Sequence, residues 1–265
     1  MQAAPLWDAV ALKFVGLLTV SDFISILLHY STSASASMSD LSSRTIKDVI
    51  RDVELNKLLR HSSFVGAHTT ADLHQCCSLM DATSLDYLPI ILPADARVLS
   101  TITYTTVLEY LVTQFREQRR LFDDSIYDLG IGTYENVITV TPQIILSEVL
   151  TLMEKHNLSV VPVLDEQNRV VTVYSRSDIT FLATATDADS AVSNLQLSLG
   201  DILSQQRTDV STPDRLYKCS PHQTLQSIFE MFASVRFNRL VCVDEEGRCV
   251  GIVSARDIVK YFIST

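Results

Sequence analysis

The stretch VVPVLDEQNRVVTVYSRSDI at residues 160–179 is written again 79 residues later as RLVCVDEEGRCVGIVSARDI at 239–258. Setting Asp178 on Asp257 aligns the two segments without a gap. Pro142 falls on Pro221, Leu146 on Leu225, Asp165 on Asp244, Arg169 on Arg248 and Ser175 on Ser254. A gapless repeat of this length obliges the chain to build one supersecondary unit at least twice. Each copy reads as a short strand ending in Thr-Pro or Ser-Pro, followed by a helix with apolar residues at helical spacing. That helix carries Leu146, Val149, Leu150 and Met153 in one copy and Leu225, Ile228, Phe229 and Phe232 in the other. Two β-rich runs follow, joined by the turn DEQNR or DEEGR, and a last helix opens at Ser-x-x-Asp. The predicted unit is β-α-β-β-α and the fold class α+β.

A third copy, altered at its signature positions, occupies 64–112, with Leu88-Pro89 in the place of Val161-Pro162 and Thr106 where the others have Asp. The chain opens with the back half of a further copy, KFVGLLTVSDFISILL at 13–28, which carries Thr19-x-x-Asp22 and is expected to be N-terminally incomplete. The predicted division is therefore 1–30 as the back half of the first unit, 61–114 as the second, 137–183 as the third and 215–265 as the fourth. Segments 31–60, 115–136 and 184–214 are read as linkers, the first low in complexity and the last with some helical character. A three-stranded sheet backed by two helices cannot cover its own apolar face alone, so the units are expected to stack in pairs with a cleft between them.

The chain has 265 residues, 47% of them hydrophobic. The most apolar stretch, FVGLLTVSDFISILLHY at 14–30, is interrupted by Asp22 and two serines, so no membrane span is expected. The opening MQAAPLWDAVALKF has no basic leader before an apolar run, so no secretory signal is expected. A net charge of −10 opposes a nucleic-acid partner, which needs a basic face. Five cysteines, an odd number, fit a reducing compartment; the expected location is the cytoplasm, with the nucleus also open to the chain.

By itself a Ser-x-x-Asp before an apolar run is a capping box. Here the step recurs at Thr19/Asp22, Ser175/Asp178 and Ser254/Asp257, each after a β-rich run and at a predicted cleft. A carboxylate held at a helix start can also accept two hydrogen bonds from a vicinal diol, the chemistry of ribose recognition.

The repeats resemble cystathionine β-synthase (CBS) domains. Their combination is similar to the gamma subunits of the AMP-activated protein kinase family, through AAPLWD (3–8), FVGLLTVSDFI (14–24), IGTYENV (131–137) and the two long segments already quoted. The resemblance implies tandem CBS domains paired into Bateman modules that bind AMP, ADP or ATP, with no cofactor and no catalytic residues. Residue by residue, it gives Asp257 the ribose hydroxyls with Ser254 beside it. Thr133, Asn136 and Ser159 would line the adenosine pocket and Arg239 would meet phosphate, next to Asn238 where the family often has His. A second site would use Asp178 and Ser175, with Arg207 and Lys218 as phosphate ligands. A third would centre on Asp22 and Thr19. There the chain departs from the family: Asp86-Tyr87 replaces a His-Arg pair, Gln2 an Arg and Tyr104 a Lys. The implied partners are a kinase catalytic (alpha) subunit and a beta subunit. Two other readings stay open on the residues: a CBS-pair regulator of another enzyme or transporter, and a scaffold whose nucleotide sites have decayed.

Other signals are weaker. His61, His68, His74, Cys76 and Cys77 crowd together but match no Cys/His ligand spacing, and Cys77 falls on an apolar helix face in repeat register. The charge run FREQRRLFDD (115–124) reads as a solvated helix face. No Gly-rich phosphate loop, G-x-S-x-G elbow or kinase signature occurs, so an enzyme is not expected.

Overall fold

The computed structural model describes residues 3–32, 43–60, 63–93, 97–114, 123–179, 193–207, 216–235 and 238–264. The chain divides into two compact units, and each collects alternate repeats. One comprises Met1–Phe64, Ile138–Gln167 and Val171–Arg215; the other comprises Val65–Val137, Asn168–Val170 and Leu216–Thr265.

In the first unit, strands β1 (Ala3–Asp8) and β2 (Lys13–Thr19) form an antiparallel pair that runs directly into helix α1 (Val20–Thr32). Segment 31–60, expected as linker, contains two short helices, α2 (Ile46–Arg51) and α3 (Val53–Leu58). The reason is local. Thr45 and Asp48 make a reciprocal capping box, and Asp52 accepts from the backbone N–H groups of Glu54 and Leu55. Leu55 then packs beneath Ile26 and Tyr30 of α1.

In the second unit, β3 (Ala67–His68), helix α4 (Leu73–Thr83), β4 (Tyr87–Ile91), β5 (Val98–Thr103) and helix α5 (Tyr104–Gln114) form one β-α-β-β-α run. Back in the first unit follow helix α6 (Leu146–Lys155), β6 (Val160–Leu164), β7 (Val170–Ser175) and helix α7 (Leu199–Arg207). The second unit closes with β8 (Lys218–Cys219), helix α8 (Leu225–Val235), β9 (Arg239–Val243), β10 (Cys249–Ser254) and helix α9 (Ala255–Ser264).

The apolar stripes read from the sequence are buried. Leu146, Val149, Leu150 and Met153 of α6 join Ile24, Leu27 and Leu28 of α1 in the main core of the first unit. In the second unit α8 packs on α5, and α9 on α4 and α5, with Leu108, Ile228 and Ile258 fully enclosed.

Register exposes the repeat more finely than sequence does. Thr19, Thr103 and Ser254 stand opposite Ala3, Tyr87 and Arg239 in their antiparallel pairs. Counting from those positions, each pair carries a bulge at the same place, between Leu6/Trp7, Ile90/Ile91 and Cys249/Gly251. The two turns also correspond: Asn168 and Gly247 both have left-handed φ, at 60° and 81°, which Asn and Gly tolerate at least cost. The sheets of the second and fourth repeats have the expected three strands, the edge one parallel. Among the described residues those of the first and third have two, the third extended by the bridge Val140↔Val163.

Candidate functional site

Three repeats carry a Ser/Thr-x-x-Asp step, and the second carries Thr103-x-x-Thr106, at the end of the last strand. At the fourth repeat Asp257 Oδ2 accepts from the Ser254 amide at 2.8 Å and from Ser254 Oγ at 2.6 Å. The Asp257 amide returns a bond to Ser254 Oγ at 3.2 Å. This is the capping box foreseen, and it leaves Oδ1 unused: that oxygen accepts no hydrogen bond among the described residues. The half-buried Asp257 therefore presents one open carboxylate oxygen, already oriented, as a diol acceptor.

The other steps vary this geometry, and at Asp22 the opening is closed. Asp22 is fully buried; its Oδ2 is held by the Thr19 amide and hydroxyl at 2.7 Å each, and its Oδ1 by the Arg60 amide at 2.7 Å. Both oxygens of Asp22 are thus spent inside the protein. Asp178, 4% exposed, takes the Ser175 amide at 2.7 Å and Ser175 Oγ at 3.1 Å. In the second repeat the Thr106 hydroxyl takes over the cap, accepting from the Thr103 amide at 3.0 Å. The helix start survives there without any carboxylate.

The second unit gathers Asp257, Ser254, Arg239, Asn238, Thr133 and Asn136. Arg239 opens β9 directly across from Ser254, so a guanidinium and the Asp257 carboxylate lie at one end of the sheet. Among the described residues this guanidinium makes no hydrogen bond and no ion pair. Burial pushes its pKa down, while the carboxylates of Asp86 and Asp257 oppose that shift. A half-buried cation with no hydrogen-bond partner among the described residues is a place for an anion. In the first and second repeats the same register position holds Ala3 and Tyr87, neither of them cationic.

Thr133 is fixed by paired backbone bonds to Ile252, at 2.8 Å and 2.9 Å. Close approach of the two backbones needs glycine on both sides. A Cβ on Gly132 (φ +112°) would lie 2.5 Å from Val253, and one on Gly251 would lie 2.5 Å from the Tyr134 ring. Asn136 holds a left-handed φ of 52°. Thr133 and Asn136 are exposed, as is Asn238, whose Oδ1 accepts from the Thr105 hydroxyl and whose carbonyl accepts from the Ala255 amide at 3.0 Å.

Other residues of the proposed set fall elsewhere. Ser159 belongs to the first unit, where its carbonyl accepts from the Arg176 amide at 3.0 Å, the repeat counterpart of Asn238 with Ala255. Asp178, Ser175, Asp22 and Thr19 are in that unit too, whereas Lys218 is exposed on β8 of the second. The side chain of Arg207, at the end of α7, lies outside the described residues, as do Gln2, His61 and residues 115–122. Cys76 and Cys77 are buried on α4, where burial pushes the Cys77 thiol up to about 11. Among the described residues no group of His, Cys, Asp or Glu could hold a metal.

Sequence reasoning missed three contacts. Arg256 binds Asp81 through Oδ1 at 2.8 Å and 3.2 Å and through its carbonyl at 3.2 Å, tying α9 to α4. Arg176 reaches Ser21 at 2.7 Å and the Met153 carbonyl at 3.2 Å, and Tyr134 covers Gly251. The two arginines lie within the Ser-x-x-Asp steps themselves, but nothing in their spacing names their partners.

The CBS domain family matches this chain at residues 131–183 and 208–264, the third and fourth repeats. These two segments are CBS domains by that match, and the chain has the α+β fold of tandem CBS domains. Along its whole length it is similar to gamma subunits of 5'-AMP-activated protein kinase. The Dictyostelium discoideum subunit is 30% identical over 269 residues, covering 100% of this chain and 46% of that protein. The Bos taurus gamma-3 subunit is 28% identical, covering 99% of this chain and 52% of its own length. The chain thus spans about half the length of the curated relatives it matches. A solved Methanocaldococcus jannaschii protein, described as an archaeal homologue of the kinase's gamma subunit, has the same fold. Its TM-score is 0.70 at 19% identity, over 98% of this chain and 88% of that one.

Proposed function

We propose that the chain is a non-catalytic regulatory subunit of an AMP-activated-type protein kinase, sensing adenine nucleotides through CBS repeats. The observation that carries the proposal is the end of the fourth-repeat sheet. There a pre-oriented carboxylate oxygen of Asp257 and the unpaired guanidinium of Arg239 lie together, a diol acceptor beside an anion acceptor. AMP, ADP and ATP each supply a cis-diol and phosphate. Thr133, Asn136 and Asn238 supply polar groups in the same unit. Asp178 with Ser175 is the second place proposed for a nucleotide, with Arg207 of the same unit as its phosphate ligand. The Asp22 step is excluded from the proposal by its own hydrogen bonds, since neither oxygen is left to bind a ligand.

Similarity to gamma subunits supports kinase alpha and beta subunits as partners and a cytoplasmic or nuclear setting. No helix among the described residues is long and apolar enough to cross a membrane. Regulation follows if AMP and ATP stabilise different arrangements of the assembly, because a ligand with equal affinity for two states shifts neither.

The test is a calorimetric titration of AMP into wild-type protein and Asp257→Thr. Threonine is chosen because Thr106 already holds the same cap in the second repeat, so the helix start is kept while the carboxylate goes. Charge-assisted bonds contribute about 1.5–3 kcal/mol, so affinity should fall at least about tenfold. AMP binding of undiminished strength in the variant would refute the site. Absence of binding to folded wild-type protein would refute the sensor reading and favour a scaffold.

A further inference from the structure

Cys219 and Cys242 are direct partners in the parallel pairing of β8 with β9. Both are buried, at 4% and 0% exposure, and their sulfurs are 3.4 Å apart. Neighbouring strands run about 4.8 Å apart, within the Cα range that a disulfide spans. The sulfurs need close only to about 2.0 Å for a bond. The repeat shows that this position does not require cysteine. The same registered pair is Ala67↔Ile90 in the second repeat and Val140↔Val163 in the third, ordinary apolar packing in both. Only the fourth repeat puts a thiol on each side of the pair.

The dithiol is next to the nucleotide-binding segment. Cys242 stands opposite Gly251 on β10, and the Tyr134 ring lies on Gly251. Cys242 and Tyr134 thus both lie against Gly251. Thr133, adjacent to Tyr134, is bonded to Ile252. β8 is an edge strand of two residues, paired on one side only, so it opens locally at less cost than the sheet as a whole. That opening is how a small oxidant reaches the sulfurs.

We propose that Cys219 and Cys242 form a reversible disulfide under hydrogen peroxide, and that its formation shifts Cys242 beneath the Gly251–Tyr134 contact and weakens nucleotide binding at the Asp257 site. The first thiol attacks the peroxide O–O bond, giving a sulfenic acid and releasing one water. The second thiol displaces the sulfenic oxygen as another water and closes the S–S bond. Two thiols and one peroxide thus give one disulfide and two waters, and a dithiol reductant reverses the change. The effect on binding rests on the nucleotide reading above; the disulfide does not.

The experiment treats the folded chain with hydrogen peroxide and counts thiols after denaturation, with non-reducing peptide mass spectrometry to place the link. Two of the five thiols should disappear, the Cys219–Cys242 peptide pair should be found, and dithiothreitol should restore both. Cys219→Val, which copies the valine pair of the third repeat, should lose no thiol pair. A Cys76–Cys77 link, over-oxidation at Cys249, or retention of all thiols would overturn the proposal. AMP is then titrated into reduced and oxidised protein; the oxidised form should bind about fivefold more weakly, the low end of ordinary coupling. Equal affinities would overturn the coupling while the disulfide stands. Failure of the reduced protein to bind AMP is a failure of the nucleotide reading, which the thiol count distinguishes from a failure of the disulfide.

Discussion

Substituting Gly132 and Gly130 by alanine, one at a time, tests the tight approach that holds the Thr133 segment against β10. Both glycines have positive φ, at +112° and +66°. A left-handed conformation costs a residue with Cβ about 1–2 kcal/mol, offset by about 0.4–1 kcal/mol from a less flexible unfolded chain. Around Gly130 a Cβ meets nothing within 4 Å, so Gly130→Ala should cost about 1 kcal/mol or less. At Gly132 the Cβ would lie 2.5 Å from Val253 Cγ2 and 2.9 Å from the Ile252 carbonyl. The second neighbour is backbone and the first is a fully buried valine, so neither yields cheaply. Overpacking adds about 1–3 kcal/mol, which brings Gly132→Ala to about 3 kcal/mol. With a urea slope near ~2 kcal/mol/M, the two variants should differ in midpoint by about 1 M when followed by circular dichroism. The sole tryptophan, Trp7, is in the first unit, so its fluorescence reports that unit separately. Coincident midpoints for the two variants would refute the claim that Gly132 is required by contact rather than by φ.

Removing the Asp22 carboxylate strands the Thr19 and Arg60 amides in a buried site. Asp22→Ala should therefore destabilise the protein by about 2–4 kcal/mol in urea titrations while leaving AMP affinity at the Asp257 site unchanged. A large loss of affinity with intact stability would reverse that assignment. The Tyr174 hydroxyl is enclosed without a hydrogen-bond partner among the described residues, and burial pushes its pKa up. Tyr174→Phe should thus be neutral or raise the melting temperature by a few degrees in calorimetry; clear destabilisation would mean that the hydroxyl has a partner such as a bound water.

The repeat was legible because its signals are local: alternation, turn residues and capping pairs recur with a fixed offset. The same locality hides what depends on context. Thr45-Ile-Lys-Asp48 is a capping box within segment 31–60, masked by the serine-rich stretch before it. At the site, Ser254 and Asp257 could be found from spacing, since they lie three residues apart. Closure of Asp22 could not, because the donor is a backbone amide 38 residues away whose identity the side chain of Arg60 does not announce. The coincident bulges were equally hidden, as an extra residue on one strand has no compositional signature. The pairing of alternate repeats in each compact unit is a tertiary choice among similar faces, and the faces of neighbouring repeats carry similar apolar stripes.

That alternation bears on how the chain reaches its native state. The first and third repeats complete one unit and the second and fourth the other, so each must wait for a partner made two steps later. On a ribosome, the β4–β5 hairpin emerges with its helices long before α8 and α9 exist to cover them. Contacts of such sequence separation slow folding and leave apolar surface open meanwhile. Cutting the chain near residue 136 would therefore give two halves that each contain parts of both units and the whole of neither.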